Sequence, residues 1–388
     1  MILNTSFKDI DRKKLYHLPW SNTNNPGVWI EPTNKCNITC RDCYRENLGK
    51  HKAFSKVKKE IDVSIKKRNC DYITIAGGEP LLYPHLKKVI KYINSKNVFT
   101  VLLTNGIELT LEKIIKLKQI GLSKLIIHID SGQNRPEWEN KNEMELNKLR
   151  EYYADLVYET GMNNFGLIMT VYSDTLQYIP SIILWTKKHV KKVKHIVFVC
   201  YRHPIHKIRS GNQKNEKEVK TLDVFNKIRE VYPDLYPNSY LNGTVDKNSL
   251  KWLYSTIIFN EKEVIGYLDH KFIKYMTLKY FIKERKYPCL KRISKFNLFT
   301  SFFKSNLIKK IFLNHIKSII SNPSELSTTL FTQTLLIIQP PDILADGRID
   351  MCNGCPDAIL YKDEMVPSCR LEEYLKYGHL LKIKDVSS

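Results

Sequence analysis

Six short apolar segments, each followed by an amphipathic one, dominate the first half of the chain and leave it few folds to choose from. The apolar segments are 27–32 (GVWIEP), 72–76 (YITIA), 99–104 (FTVLLT), 124–130 (KLIIHID), 165–171 (FGLIMTV) and 195–200 (HIVFVC). They are rich in Ile and Val and apolar on both faces, as buried parallel strands are. Lys/Glu-rich stretches at 51–68, 85–95, 111–120, 143–160 and 178–192 lie between them. In LYPHLKKVIKYINSK, Leu86, Val89, Ile90 and Ile93 recur at helical spacing while lysines take the other face. The succession predicts an α/β fold, a partial (β/α)6 barrel of TIM type with right-handed crossovers.

The alternation stops near residue 205. Residues 205–250 are polar and turn-rich, and 270–320 carry ten aromatic residues, many Lys and Arg, and one acid, Glu284. Next, TLLIIQPPDILADGRIDMC reads as two strands around a turn, followed by a cysteine-bearing hairpin and a short helix, SCRLEEYLKYG. The expected organisation is a core at 1–205, a basic, aromatic-rich helical insertion at 206–334, and a small cysteine-bearing hairpin and helix subdomain at 335–388.

Composition narrows the class. The chain has 388 residues, 43% of them hydrophobic, so it can bury a sizeable core and is neither disordered nor a disulfide-stapled miniature. Its formal net charge of +22 favours acidic partners: nucleic acid, an anionic membrane or an acidic protein. The first residues lack the apolar core of a signal peptide, and no uncharged apolar run reaches the roughly 18 residues of a membrane span. A cytoplasmic location is expected, where the nine cysteines stay reduced and serve as metal ligands or packed thiols.

Chemistry concentrates where the predicted strands end. Directly after the first strand, EPTNKCNITCRDCYR places Cys36, Cys40 and Cys43 in C-x3-C-x2-C spacing. A structural zinc wants four closed ligands, whereas three thiolates on a four-iron cube leave one iron open. The second strand runs into Gly77-Gly78-Glu79-Pro80, the third into Thr104-Asn105-Gly106, and the fourth ends in Asp130-Ser131-Gly132. Barrel enzymes keep their active sites at these ends. Plainer readings stand beside each: a zinc site or packed thiols for the cysteines, a loop cap for Asp130, a turn former for Asn105.

On these motifs the first 205 or so residues resemble the radical S-adenosylmethionine (SAM) superfamily. The resemblance implies that Cys36, Cys40 and Cys43 hold a [4Fe-4S] cluster. It implies that Gly77, Gly78, Glu79, Pro80, Asn105, Asp130 and Ser131 contact SAM, and that reductive cleavage yields a 5′-deoxyadenosyl radical. Relatives often carry an aromatic residue before the third cysteine; this chain has Asp42 there and Tyr44 after it.

A second trio, Cys352, Cys355 and Cys369, has C-x2-C-x13-C spacing. It looks like the SPASM or twitch extension of radical SAM enzymes, which implies a second Fe–S cluster. Its completion is open: a fourth ligand such as Cys289 or Cys200, an open iron, or a zinc knuckle closed by His379. Cys70 reads as a buried thiol. Lys35, Arg41 and Arg45 flank the first cysteines and suit an acidic electron donor, flavodoxin or ferredoxin. The basic, aromatic segment suits a peripheral contact with anionic membrane, and so a lipid or other large substrate. RNA modification, a peptide-modifying maturase, solvated helices, and a non-catalytic Fe–S or zinc-dependent binding protein are the alternatives.

Overall fold

The computed structural model describes residues 10–208, 217–260, 263–288, 313 and 330–382. All six expected strands form: β1 (Gly27–Thr33), β2 (Tyr72–Gly77), β3 (Phe99–Thr104), β4 (Lys124–His128), β5 (Phe165–Val171) and β6 (His195–Cys200). So do the five helices: α1 (Phe54–Arg68), α2 (Leu86–Ser95), α3 (Leu111–Gln119), α4 (Asn147–Glu159) and α5 (Ile179–Lys188). Neighbouring strands from β1 to β6 pair parallel and in chain order. Alternate strand residues such as Leu102, Leu125, Leu167 and Phe198 bury with Val89, Ile90, Ile114 and Ile183 of the helices, so the helices cover one face of the sheet.

The described residues of 206–334 include strands as well as helices. The short helix α6 (Ile205–Ile208), α7 (Thr221–Arg229) and α8 (His270–Glu284) lie among three strands, β7 (Ser239–Asn242), β8 (Leu250–Phe259) and β9 (Val264–Tyr267). Every residue of β8 is buried, including Lys251, because the strand is paired on both edges and covered on both faces. The strand β10 (Phe331–Ile338) pairs parallel with β6, Leu335 opposite Ile196, and antiparallel with β8. The resulting sheet has 11 strands in the path Tyr16–His17, β7, β8, β10, β6, β5, β4, β3, β2, β1, with β9 on β8, and it does not close into a barrel.

Beyond β10, Asp342–Ile343 pairs with Ile349–Asp350, and a hairpin of β11 (Ala358–Tyr361) and β12 (Glu364–Pro367) leads into α9 (Leu371–Tyr377). The hairpin lies on β1: Ile359, Val366 and Leu371 pack with Trp29 and Ala76. A buried charge network anchors this region to the sheet. Lys251 contacts Asp342 and lies 3.1 Å from Asp350, and Arg202, after β6, donates to Asp342 at 2.6 Å. Asp350 also accepts from the Val245 and Asp246 N–H groups. Residues 350–353 are thereby held at the end of β7, where Asn353 N donates to Asn242 O.

Removing one member of a buried ion network leaves its partners uncompensated. Lys251→Met is expected to destabilise the protein by about 3 kcal/mol, measured by urea unfolding. Burial opposes ionisation of Asp342, but Arg202 and Lys251 outweigh it and hold its pKa below the ordinary value. Such a group stabilises above its unfolded pKa and loses that contribution as pH falls. Acid destabilisation below about pH 4 is therefore expected to be shallower in Lys251→Met than in the unaltered chain; equal slopes would refute the network's role.

Candidate functional site

The cysteine loop is built onto the sheet by its backbone. Gly78 N donates to Thr33 O at 2.9 Å, and Glu79 N donates to Lys35 O at 2.7 Å. A Cβ on Gly78 would stand 2.3 Å from Lys35 O, and one on Gly77, whose φ is +118°, would stand 2.4 Å from Thr33 O. The two glycines therefore allow a close approach to the strand end that leads into Cys36. On its other side the loop pairs antiparallel with the segment after β4: Thr39 faces Asn134, Cys40 faces Gln133, and Arg41 N donates to Gly132 O at 2.6 Å.

The strand-end residues expected at the site are brought together here. Glu79 is buried; its carboxylate accepts from Leu81 N, Thr104 Oγ1 at 2.6 Å and Asn105 N at 2.7 Å. Burial pushes its pKa up despite these bonds. Pro80 is buried and opens a single helical turn. The Asn105 amide donates to the Asn37 side chain at 2.7 Å, while its oxygen accepts from Ile107 N, so Asn105 is both turn former and tie to the loop. Asp130 caps its loop: it accepts from Gly132 N and Thr170 N and contacts His128 Nε2 at 2.6 Å. Burial opposes its charge, and the His128 ring and those N–H groups overcome it, so its pKa is lowered. Ser131 N donates to Glu143.

The three thiols of the loop lie close enough to influence one another. Burial raises the Cys40 pKa, and Asp130, Cys43 and Cys36 raise it further. Burial likewise raises that of Cys36, against N–H groups of Ile38 and Asn37 aimed at its sulfur. Among the described residues no three His, Cys, Asp or Glu side chains converge on a single ion. A cluster spreads its thiolates over several irons and needs no such convergence, and N–H groups aimed at sulfur suit it.

Asp42, at the position where relatives often carry an aromatic residue, adopts the left-handed region at φ 48° and accepts from the Tyr201 hydroxyl at 2.8 Å. The Tyr201 ring packs on Tyr172 at 4.8 Å, and the Arg41 guanidinium lies over Tyr172 at 4.4 Å. Lys35 is exposed, and Arg41 is half-buried and faces Asp174 at 3.4 Å. Arg45 departs from the expectation that it would meet an electron donor: it is buried, with both its Nε and Nη2 donating to Glu31 of β1, at 2.6 and 2.7 Å. Another residue missed in the sequence is Arg135, buried beneath Cys40, where it donates to Asn105 O at 2.6 Å. Only its occurrence directly beyond the β4 strand end hinted at this.

The terminal cysteines are also gathered. The neighbouring Cys352 and burial raise the Cys355 pKa, and Cys355 in turn raises that of Cys369, which burial pushes up to about 12. Arg68, at the end of α1, is fully buried and donates from Nη2 to Cys355 O at 2.7 Å, while its Nε and Nη1 find no hydrogen-bond partner among the described residues. A buried guanidinium with unused donors beside Cys355 and the carboxyl of Asp357 suits a negatively charged, thiolate-held metal group. Of the ligands considered for completion, Cys200 is buried among Arg202, Asp223 and Asp342, and His379 is exposed with its ring on Leu380 O. Cys289 lies outside the described residues. Cys70 is a buried thiol, as expected.

Gly78→Ala is expected to displace the cysteine loop and lower thermal stability by about 1–3 kcal/mol, the usual range for overpacking; unchanged stability and iron loading would refute the close-approach argument. Arg68→Met is expected to shrink the difference in melting temperature between iron-loaded and iron-free protein. An unaltered difference would remove Arg68 from any charge-balancing role.

Residues 30–185 match the family model described as Radical SAM superfamily. The probable GTP 3′,8-cyclase of Methanocaldococcus jannaschii is 35% identical over 107 residues, 26% of this chain and 35% of that protein. The S-adenosylmethionine-dependent nucleotide dehydratase of Lacinutrix mariniflava is 23% identical over 232 residues, 54% of this chain and 46% of that one. The crystal structure of Streptococcus suis SuiB bound to precursor peptide SuiA aligns with TM-score 0.42 at 14% identity, over 54% of this chain and 46% of that one. The chain spans about a third to a half of the length of these curated relatives. With the cysteine loop and the strand-end motifs inside the matched stretch, the chain carries a radical SAM domain, the unit of a superfamily of enzymes that use a [4Fe-4S] cluster and SAM.

Proposed function

We propose that Cys36, Cys40 and Cys43 hold the [4Fe-4S] cluster and that the chain catalyses hydrogen abstraction from an apolar carbon of a large, lipid-like substrate. When bound, the cluster and SAM supply one-electron cleavage to methionine and a 5′-deoxyadenosyl radical. The chain's own residues hold and shield that chemistry. Gly77, Gly78, Glu79, Pro80, Asn105, Asp130 and Ser131 form the rim for SAM. Glu79 and Asp130, whose carboxylates are spent on internal bonds, act by shaping backbone around it. Cys352, Cys355 and Cys369 hold a second Fe–S group, with Arg68 as counter-charge.

The substrate class rests on one observation: among the described residues, the sheet face turned away from the helices carries a row of half-buried apolar side chains. Leu103, Ile126, Ile168, Val199 and Ile338 are half-buried along it. Trp252, Tyr254 and Leu336 continue it, and Cys352 and Cys355 pack against it. Such a surface suits hydrocarbon better than a nucleotide. α8 adds an outer contact, exposing Leu278 and Ile282 beside Lys271, Lys274, Lys279 and Lys283. Residues 289–320 of the basic, aromatic segment, apart from Leu313, lie outside the described residues. Among the described residues no helix is long and apolar enough to cross a membrane, so the membrane contact proposed is peripheral.

The test is anaerobic reconstitution with iron and sulfide, followed by SAM and dithionite. The expected product is 5′-deoxyadenosine, lost to background in Cys43→Ala. Sedimentation with anionic phospholipid vesicles is expected to carry the protein down and to weaken in Ile282→Asp. Deoxyadenosine without vesicle binding would leave the radical chemistry and overturn the lipid assignment.

A further inference from the structure

We infer that Arg45 is a positioning residue that couples the two cysteine sites, so that filling one changes the electronic properties of the other. This rests on the proposal that both cysteine trios hold metal. Arg45 lies two residues after Cys43. Besides its paired bonds to Glu31, its Nη2 donates at 2.5 Å to the carbonyl of Ser368, the residue before Cys369. Its Nη1 stands 4.0 Å from Glu372 of α9. The side chains of Arg45, Glu31 and Glu372 are 4%, 7% and 6% exposed, so the group is dry and electrostatically unscreened.

Neighbouring contacts reinforce the bridge. Glu46 N donates to Glu372 at 3.3 Å, and the Glu46 carboxylate contacts Lys376. Trp29 Nε1 donates to the same Glu31 at 2.8 Å, which fixes the carboxylate that Arg45 grips. The exit of the first cysteine loop is therefore held from one side by β1 and from the other by the segment carrying Cys369. The Arg45 charge also acts on the Cys369 thiol. A planar guanidinium bonded in fixed directions to two groups, Glu31 and the Ser368 carbonyl, transmits displacement as well as charge. Coupling between two sites is reciprocal.

A double-mutant cycle separates coupling from mere support. The midpoint potential of the first cluster is followed by electron paramagnetic resonance in the reconstituted full chain, with and without Cys369→Ala, in Arg45 and Arg45→Met backgrounds. The expected result is a shift on Cys369→Ala in the Arg45 background that vanishes in Arg45→Met. Arg45→Lys, which keeps the charge and loses the paired geometry, serves if Arg45→Met does not fold, and is expected to give a smaller shift. Equal shifts in both backgrounds, or no shift in either, would overturn the coupling. Iron analysis distinguishes the underlying reading: if Cys369→Ala leaves the iron content unchanged, the terminal trio holds no iron and that reading falls instead.

Discussion

Two backbone hydrogen bonds, from Gly78 and Glu79 to the carbonyls of Thr33 and Lys35, carry the architecture of the site. They exist because residues 77 and 78 lack a Cβ, and they seat the cysteine loop on the sheet before any side chain acts. Once the loop is seated, Glu79 can turn inward and organise Thr104 and Asn105, and Asn105 can reach back to Asn37. The pairing of Cys40 with Gln133 then closes the loop on its far side. The glycine-rich motif thus shapes the protein's own backbone as well as the space above it.

Around this neutral scaffold the chain buries an unusual number of charges. Arg45, Arg68, Arg135 and Lys251 are all inaccessible, and each lies beside a cysteine-bearing segment or anchors one. Arg45, Arg135 and Lys251 meet carboxylates or carbonyls. Arg68 leaves two donors unused beside Cys355, and Arg45 leaves Nη1 unused. Burying an unsatisfied cation is costly, and the negative charge beside Arg68 comes from the Asp357 carboxyl and from Cys355 when it binds metal as thiolate. The formal +22 of the chain is thus partly internal.

Much of the fold was legible from periodicity. The six parallel strands and five helices followed from short Ile/Val runs and from apolar residues at helical spacing, because burial on two faces or on one stripe leaves a direct trace in composition. β7, β8 and β9 were missed because their segments lie in a polar, turn-rich and basic context, and LKWLYSTIIF has the same apolar continuity as a buried helix. Asp130 and Asn105 were legible as strand-end polar residues, but their internal bonds were not, since a side chain's partner depends on what the fold brings beside it. Arg45 illustrates the same limit: next to Cys43 in the chain it reads as surface charge, and Glu31 and Ser368 turn it inward.

By itself the sequence determined the α/β alternation, the two cysteine spacings and the order in which motifs meet strand ends, because these are properties of neighbours along the chain. The tertiary structure decided that the sheet stays open, that β10 enters it beside β6, and that the terminal cysteine hairpin lies on β1 within reach of the first loop. Those outcomes depend on contacts such as that of Arg45 with Ser368, 323 residues apart in sequence. No local pattern encodes them, because their free energy arises only when distant segments exclude water together.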